Sequence, residues 1–223
     1  MAEITAVIFD FGGVIVPGSP SGDDPNSPYT LLEREFGLAQ GVLFKAMWIE
    51  NAGWLRLRIG EGSEADWLRI AREQVSALAG PADTEEILKR WDALRPQGAA
   101  LAGKTPEFNP GVIPLIERLR TRVRVGVLSN AAPGLEEELR DHYGIAHLFH
   151  DIINSATVHL AKPDGRIYRL AAERHNARPE ACFFTDDLLW NVEAARAEGM
   201  IAHQFASADG LMTALREVGV NPD

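Results

Sequence analysis

Short apolar runs that stop abruptly at polar or turn-forming residues recur along this chain, and stretches of helical periodicity separate them. The runs cover residues 6–9, 123–128, 149–153 and 182–185, with 200–205 as a further candidate. Runs of this length with such endings are typical of buried strands. Because strands that alternate with helices favour a parallel sheet with right-handed crossovers, we expect an α/β fold with a Rossmann-like, three-layer core.

A long stretch between the first two predicted strands has a different pattern. Residues 17–29 are rich in proline, glycine, serine and aspartate, which indicates a loop. From about residue 30 to residue 96 the apolar positions follow helical spacing, and no convincing strand interrupts them. A chain of 223 residues exceeds one average domain without reaching two. We therefore predict a core of residues 1–17 and 104–223 and a small helical cap of residues 18–103.

An excess of acidic side chains limits the partners of this chain. The 32 aspartate and glutamate residues against 22 lysine and arginine residues give a net charge of -10, which repels nucleic acid and anionic lipid. We expect a small-molecule partner, with no nucleic acid and no membrane, while the oligomeric state stays undecided. The first residues do not resemble an export signal, and no run approaches the roughly 18 apolar residues of a membrane span, so we expect a cytoplasmic location.

Polar side chains capable of phosphate chemistry follow four of the predicted strands. They are Asp10, Ser129, Asn130, Lys162, Asp186 and Asp187. Because open α/β sheets bind ligands beyond the carboxyl ends of their strands, we expect these side chains to meet at one edge. Carboxylates suit a hard cation such as Mg²⁺, and lysine and hydroxyl groups balance the charge of a phosphoryl group. Each residue alone is also compatible with a turn or a helix cap.

Together, four segments at these positions resemble the motifs of the haloacid dehalogenase superfamily. They read DFGGV at 10–14, VLSN at 127–130, AKP at 161–163 and FFTDD at 183–187. The resemblance is to subfamily I-type members with a helical C1 cap, in a D-x-G variant of the first motif. It implies a magnesium-dependent hydrolase that acts on a small phosphomonoester.

The resemblance also assigns roles to the candidate catalytic and substrate-binding residues. Asp10 is expected to attack phosphorus and form an aspartyl-phosphate, which splits one difficult displacement into two easier ones. Ser129 is expected to donate a hydrogen bond to the phosphoryl oxygens, and Asn130 to shape the loop or reach the substrate. Lys162 is expected to pair with Asp10 and with the phosphate.

A magnesium site is implied by the same resemblance. Asp10, Asp186, Asp187 and the main-chain carbonyl of Gly12 are its expected ligands, with Asp186 acting directly or through water. Two adjacent acids after an apolar strand would repel each other without a cation, which favours metal over a simple helix cap. Asn191 resembles the residue that braces this loop.

One position departs from the pattern of the family's phosphatases. They usually carry a second aspartate two positions after the nucleophile, where it protonates the leaving alcohol and later activates water, but this chain has Gly12. The loss of a general acid and base could lower the rate by about 10² to 10⁴, and least for activated leaving groups. Asp23, Asp24 or His159 could supply the proton, although exposed loop charges are the common explanation for such residues.

Two alternatives stay open at this stage. A 2-haloacid dehalogenase needs no second aspartate and no metal, but such enzymes usually carry neutral residues where this chain has Asp186 and Asp187. A catalytically silent phosphate-binding or interaction module is the other hypothesis. The tryptophans of the cap could then form a partner surface, although such residues more often pack a small helical bundle. They are Trp48, Trp54, Trp67 and Trp91.

Overall fold

The structure is a computed structural model and describes residues 2–18, 27–94 and 105–222. The chain divides into two compact units. The core unit consists of Met1–Pro17 and Thr105–Asp223, and the cap unit consists of Gly18–Lys104. Within the described ranges, no helix is both long and apolar enough to cross a bilayer.

The core unit contains a five-stranded, fully parallel sheet in the order β3-β2-β1-β4-β5. The strands are β1 (Ala6–Phe9), β2 (Arg124–Ser129), β3 (Asp151–Asn154), β4 (Cys182–Asp186) and β5 (Ile201–Gln204). All four residues of β1 are buried, as expected of a central strand that is covered on both faces. The predicted α/β parallel sheet is confirmed.

Helices cover both faces of this sheet and make the three layers. The longer ones are α6 (Val112–Leu119), α9 (Gly165–Arg174), α10 (Leu189–Ala197) and α11 (Ala208–Glu217), with short α7 (Leu135–Glu137) and α8 (Ser155–Val158) between strands. Ile167 of α9 and Val192 of α10 pack in one apolar cluster with Ile8 of the central strand. On the other side, α6 packs on β2 and α11 packs on α6.

Three strands run one residue further than the sequence predicts, and the added residues are Ser129, Asn154 and Asp186. Ser129 pairs with Asn154, and Asp186 pairs with Gln204, so all three are the last residues of their strands rather than the first residues of a loop. The added ladder positions arise because the neighbouring strands reach equally far. The main chain of a residue at the last ladder position is held by the hydrogen bonds of the sheet. Its side chain is therefore positioned more rigidly than one carried by a loop.

The cap unit is helical throughout its described part, residues 27–94. Its helices are α1 (Pro28–Glu35), α2 (Val42–Phe44), α3 (Ala52–Leu57), α4 (Glu64–Ala79) and α5 (Pro81–Leu94), and a π-helical turn (Lys45–Ile49) follows α2. Local signals explain where they begin. Asn51 accepts a hydrogen bond from the Trp54 amide, and Ser63 accepts one from the Asp66 amide, as N-cap residues do.

Candidate active site

Asp10 follows the central strand directly and is buried. Its amide donates to the Thr185 carbonyl of β4 at 2.9 Å, which continues the strand pairing to this residue. The carboxylate oxygen Oδ1 accepts hydrogen bonds from the Phe11 amide at 2.7 Å and from Lys162 Nζ at 2.8 Å. Asp10 therefore points out of the carboxyl end of the sheet with a fixed orientation.

Lys162 lies at the centre of the site, with only 1% of its side chain exposed. Its ammonium group contacts Asp10 Oδ1 at 2.8 Å and Asp186 Oδ2 at 2.6 Å. Burial disfavours the charged form, but the two carboxylates outweigh it and raise the pKa of Lys162. The ammonium group also lies 5.5 Å from the centre of the Phe184 ring, which favours a cation. Lys162 is a permanent positive charge at physiological pH.

Three carboxylates face one another around this lysine. Asp10, Asp186 and Asp187 each offer an oxygen within 4.8 Å of the others. Burial raises the pKa of Asp10 well above its usual range, Lys162 opposes that rise, and the two other acids add to it. Burial, followed by the charge of Asp186, raises the pKa of Asp187 to about 6. One lysine does not neutralise three carboxylates, so the cluster suits a further cation.

The two acids of the fourth motif have different surroundings. Asp186 is completely buried and accepts from Lys162 Nζ, from the Leu188 amide at 2.9 Å and from Asn191 Nδ2 at 3.0 and 3.1 Å. Asn191 itself is buried, and the Tyr168 hydroxyl donates to its carbonyl at 2.9 Å. These bonds brace Asp186, as the sequence predicted for Asn191. Asp187 is less buried and is the more accessible of the two carboxylates.

The turn after β1 carries Gly12 and Gly13, which differ in the space around them. Gly13 has φ +85°, and a Cβ atom there would overlap the Asp187 carboxylate, so only glycine fits without strain. A Cβ atom on Gly12 would meet nothing within 4 Å. Asn109 holds this turn from a distant part of the chain. Its Nδ2 donates to the carbonyls of Gly13 and Val14 at 3.1 and 3.0 Å.

The loop after β2 brings Ser129 and Asn130 to the same edge of the sheet. Ser129 is buried and lies two residues beyond Val127, which pairs with Phe9 just before the nucleophile candidate. The Asn130 side chain bonds the main chain of Lys162 at both its polar atoms, at 2.8 Å each. The residues predicted from the sequence therefore converge at this edge of the sheet. Lys162 is in ionic contact with Asp10 and Asp186, and Asp187 belongs to the same carboxylate cluster.

The candidates for a replacement acid are Asp23, Asp24 and His159. Asp23 and Asp24 fall outside the described residues. His159 is exposed and follows α8 in the left-handed conformation, three residues before Lys162.

Sequence reasoning missed three supporting residues at this edge. Asn109 was part of a breaker-rich segment, and Asn154 and Ser155 were at the end of a predicted strand. Asn154 Nδ2 donates to the Ala132 carbonyl at 2.8 Å, and Ser155 Oγ accepts from the Ala131 amide at 3.1 Å. The only available signal was an uncharged hydrogen-bonding side chain next to a strand end. Their partners lie 22 to 96 residues away along the chain, which no local pattern reveals.

Comparisons with known proteins agree with this geometry. A family model described as haloacid dehalogenase-like hydrolase matches residues 4–199. The chain is similar to "Phosphatase MT3486" of Mycobacterium tuberculosis, with 26% identity over 225 residues that cover 97% of this chain and 96% of the relative.

Solved structures show the same fold. One is the magnesium complex of HAD family enzyme bt-2542 from Bacteroides thetaiotaomicron, with a TM-score of 0.59, 16% identity and coverage of 93% of this chain and 96% of that one. Another is L-2-haloacid dehalogenase PA0810, with a TM-score of 0.55, 20% identity and coverage of 93% and 86%. At these identities the two structures support the fold alone.

Proposed function

Since the chain belongs to the haloacid dehalogenase-like hydrolase family, we propose that it is a Mg²⁺-dependent phosphatase that acts on a small phosphomonoester through an aspartyl-phosphate on Asp10. The observation that carries this proposal is the cluster of three carboxylates around one buried lysine. Such a cluster is electrostatically costly without a ligand. A divalent cation would neutralise the carboxylates, and a phosphoryl group would pair with the lysine. The whole-length similarity to a protein named a phosphatase supports the same conclusion.

The donor set fits Mg²⁺, which prefers oxygen ligands and binds through one or two carboxylates with water and phosphate. Asp10 and Asp187 would hold the ion together with the Gly12 carbonyl. Asp186 would act directly or through water. Four hydrogen bonds already occupy its two oxygens, which limits their contact with the ion. When bound, the ion would neutralise phosphoryl charge as the reaction proceeds.

The protein groups would then perform two displacements. Asp10 attacks phosphorus with a carboxylate oxygen while the bond from phosphorus to the leaving oxygen breaks, and the departing alkoxide or aryloxide takes a proton from solvent. Water then attacks the same phosphorus, the bond to Asp10 breaks, and inorganic phosphate is released. Lys162 and the Ser129 hydroxyl donate to the phosphoryl oxygens throughout. A direct contact between Asn130 and the substrate stays a prediction.

Gly12 determines which substrates this site can process quickly. Glycine cannot protonate the leaving oxygen, so a poor leaving group departs at a rate lower by about 10² to 10⁴ unless another group supplies the proton. Esters of acidic alcohols, such as aryl phosphates, depend least on that proton. We therefore expect higher kcat values for activated esters than for simple alkyl phosphates.

A phosphate-release assay tests the proposal. Purified protein is incubated with p-nitrophenyl phosphate and then with a panel of phosphometabolites, with Mg²⁺ or with EDTA. We expect release that depends on Mg²⁺, and phosphorylation of the peptide that contains Asp10 in acid-quenched samples. Activity that survives complete metal removal, or phosphoprotein on another residue, would contradict the mechanism.

Two further measurements separate the remaining alternatives, which Gly12 keeps open. Halide release from a 2-haloacid without metal would identify a dehalogenase, although the retained Asp186 and Asp187 argue against it. Phosphate binding without turnover of any substrate would identify a catalytically silent module. The retained nucleophile and lysine argue against that hypothesis.

A further inference from the structure

The side chain of Asn130 joins two loops that lie 32 residues apart along the chain. Its Nδ2 donates to the carbonyl oxygen of Lys162, and its Oδ1 accepts from the amide of Lys162, both at 2.8 Å. One side-chain amide thus satisfies both the main-chain donor and the main-chain acceptor of the same distant residue. This paired contact resembles a single step of a strand ladder and restrains both the position and the orientation of that residue.

Lys162 needs such a restraint because no regular element contains it. It lies between α8, which ends at Val158, and α9, which begins at Gly165. Its side chain is fully buried, yet its ammonium group must reach two carboxylates at 2.8 and 2.6 Å. Four rotatable bonds separate that group from the main chain. A shift of the Cα atom would therefore change both ionic contacts together.

We propose that Asn130 is a positioning residue that sets the location of the Lys162 ammonium group between Asp10 and Asp186. In this role Asn130 acts through Lys162 rather than through the substrate. The expected effect of Asn130 on the reaction rate rests on the proposed phosphatase function. Its effect on the position of the Lys162 ammonium group does not. Catalytic groups must be held close to their productive geometry, and a displacement of about 1 Å can lower a rate by roughly 10²-fold.

Other hydrogen bonds also hold the loop that carries Asn130. The positioning role of Asn130 can therefore be distinguished from a general contribution to loop stability. Asn154 donates to the Ala132 carbonyl, and Ser155 accepts from the Ala131 amide, so the end of β3 and the start of α8 brace the loop independently. Neither of these bonds involves Lys162. Asn154→Ala is therefore a matched control, because it removes an asparagine bond to the same loop and leaves the bonds to Lys162 intact.

The first test follows the Lys162 ammonium group by NMR in the ¹⁵N-lysine-labelled chain of 223 residues. A buried, ion-paired ammonium exchanges its protons slowly and gives a resolved signal, which Lys162→Arg identifies by its absence. We expect Asn130→Ala to shift or broaden this signal, and Asn154→Ala to leave it unchanged. An unchanged signal in folded Asn130→Ala overturns the proposal, as does an equal perturbation in both variants.

The second test measures kinetics with p-nitrophenyl phosphate and Mg²⁺. We expect Asn130→Ala to lower kcat by roughly 10- to 100-fold while KM changes by less than about threefold, and Asn154→Ala to have a much smaller effect. A rise in KM with unchanged kcat would instead indicate direct substrate contact and overturn the positioning role. Asn130→Gln, which keeps the amide on a longer side chain, replaces the alanine variant if that fails to fold. If the wild type hydrolyses no phosphoester, the proposed function fails, and the NMR result still decides this inference.

Discussion

The core unit and the cap unit both bury carboxylates, but they satisfy them in opposite ways. In the cap, Glu33 is completely buried, and its two oxygens accept from the Gly41 and Leu43 amides at 2.8 and 2.7 Å. In the core, Asp10 and Asp187 face other acids. A buried carboxylate that main-chain amides satisfy stabilises the fold, whereas carboxylates that repel one another indicate a site for a cation.

The apolar packing of the two units differs as well. The cap is centred on Trp54, Trp67 and Trp91, which are all buried, with ring centres 4.8 Å apart for the first pair and 5.4 Å for the second. These residues pack a helical bundle, the more common outcome anticipated for them, and only Trp48 of the four is partly exposed. We therefore expect core substitutions at the sheet edge to change activity and cap substitutions to change stability.

Asp10→Asn gives the strongest contrast on the core side. The substitution keeps the shape and the acceptor for the Phe11 amide but removes the proposed nucleophile, so phosphate release should fall by about 10⁴-fold or more. The fold should persist, because a charge that burial disfavours is removed and Lys162 keeps its contact with Asp186. Phosphate release and thermal unfolding, measured on the same sample, check both statements. An unfolded variant would contradict the expectation that substitutions at the sheet edge change activity rather than stability.

Trp67→Ala gives the corresponding contrast in the cap. Trp67 is 2% exposed and contacts three other indole rings, so its truncation should lower the free energy of unfolding by about 3 to 5 kcal/mol. Urea titration measures this loss. Trp190→Ala is the matched control, because that side chain is 43% exposed and should change stability by no more than about 0.5 kcal/mol. Similar losses in both variants would contradict the buried packing.

Gly12→Asp tests whether the core site lacks only a general acid. A side chain at this position meets no neighbour within 4 Å of its Cβ, so the variant should fold. If the carboxyl group reaches the leaving oxygen, kcat for an alkyl phosphate should rise by about 10²-fold, with a smaller gain for p-nitrophenyl phosphate. Comparison of kcat for the two substrates measures this. An equal change for both would exclude protonation of the leaving group.

Gly13→Ala is the neighbouring control and should behave in the opposite way. Its Cβ atom would overlap the Asp187 carboxylate, and its φ of +85° strains any other residue. A stability loss of about 1 to 3 kcal/mol is expected, together with weaker Mg²⁺ activation. Thermal unfolding and a Mg²⁺ titration of activity record the two effects. A variant as stable and as active as wild type would show that the turn adapts.

The smallest expected effect concerns a buried histidine of the core. His175 packs against Gly126, and its Nδ1–H donates to the Ala171 carbonyl at 2.8 Å. Burial lowers its pKa, while nearby Asp151 opposes that change and Arg124 and His150 add to it. The unfolded chain therefore takes up a proton at a higher pH than the folded protein does. Stability should fall as pH decreases below about 6.5, by at most about 1.4 kcal/mol per pH unit.

The difference between wild type and His175→Gln isolates this contribution from the acids at the active site. We expect the difference in free energy of unfolding to depend on pH in the range below about 6.5 and to become constant above it. Urea titrations at several pH values measure it. A difference that does not vary with pH would mean that His175 titrates equally in both states.

The sheet and most of the site were predictable from local patterns. Each predicted strand lies within two residues of an observed one, because a buried parallel strand needs a short apolar run that ends where the chain leaves the sheet. Asp10, Lys162, Asp186 and Asp187 were named for the same reason. Parallel strands place their carboxyl ends at one edge, so residues at those ends must converge.

The sequence by itself therefore determined the α/β layer architecture. It also determined which charged groups follow which strand. Only the tertiary structure decided how those groups are held. Asn109 and Asn130 bond main-chain atoms 96 and 32 residues away, and Gly13 is required by the carboxylate of Asp187, which follows another strand. Periodicity reports burial along one segment, whereas a hydrogen bond between distant loops depends on where folding places both partners.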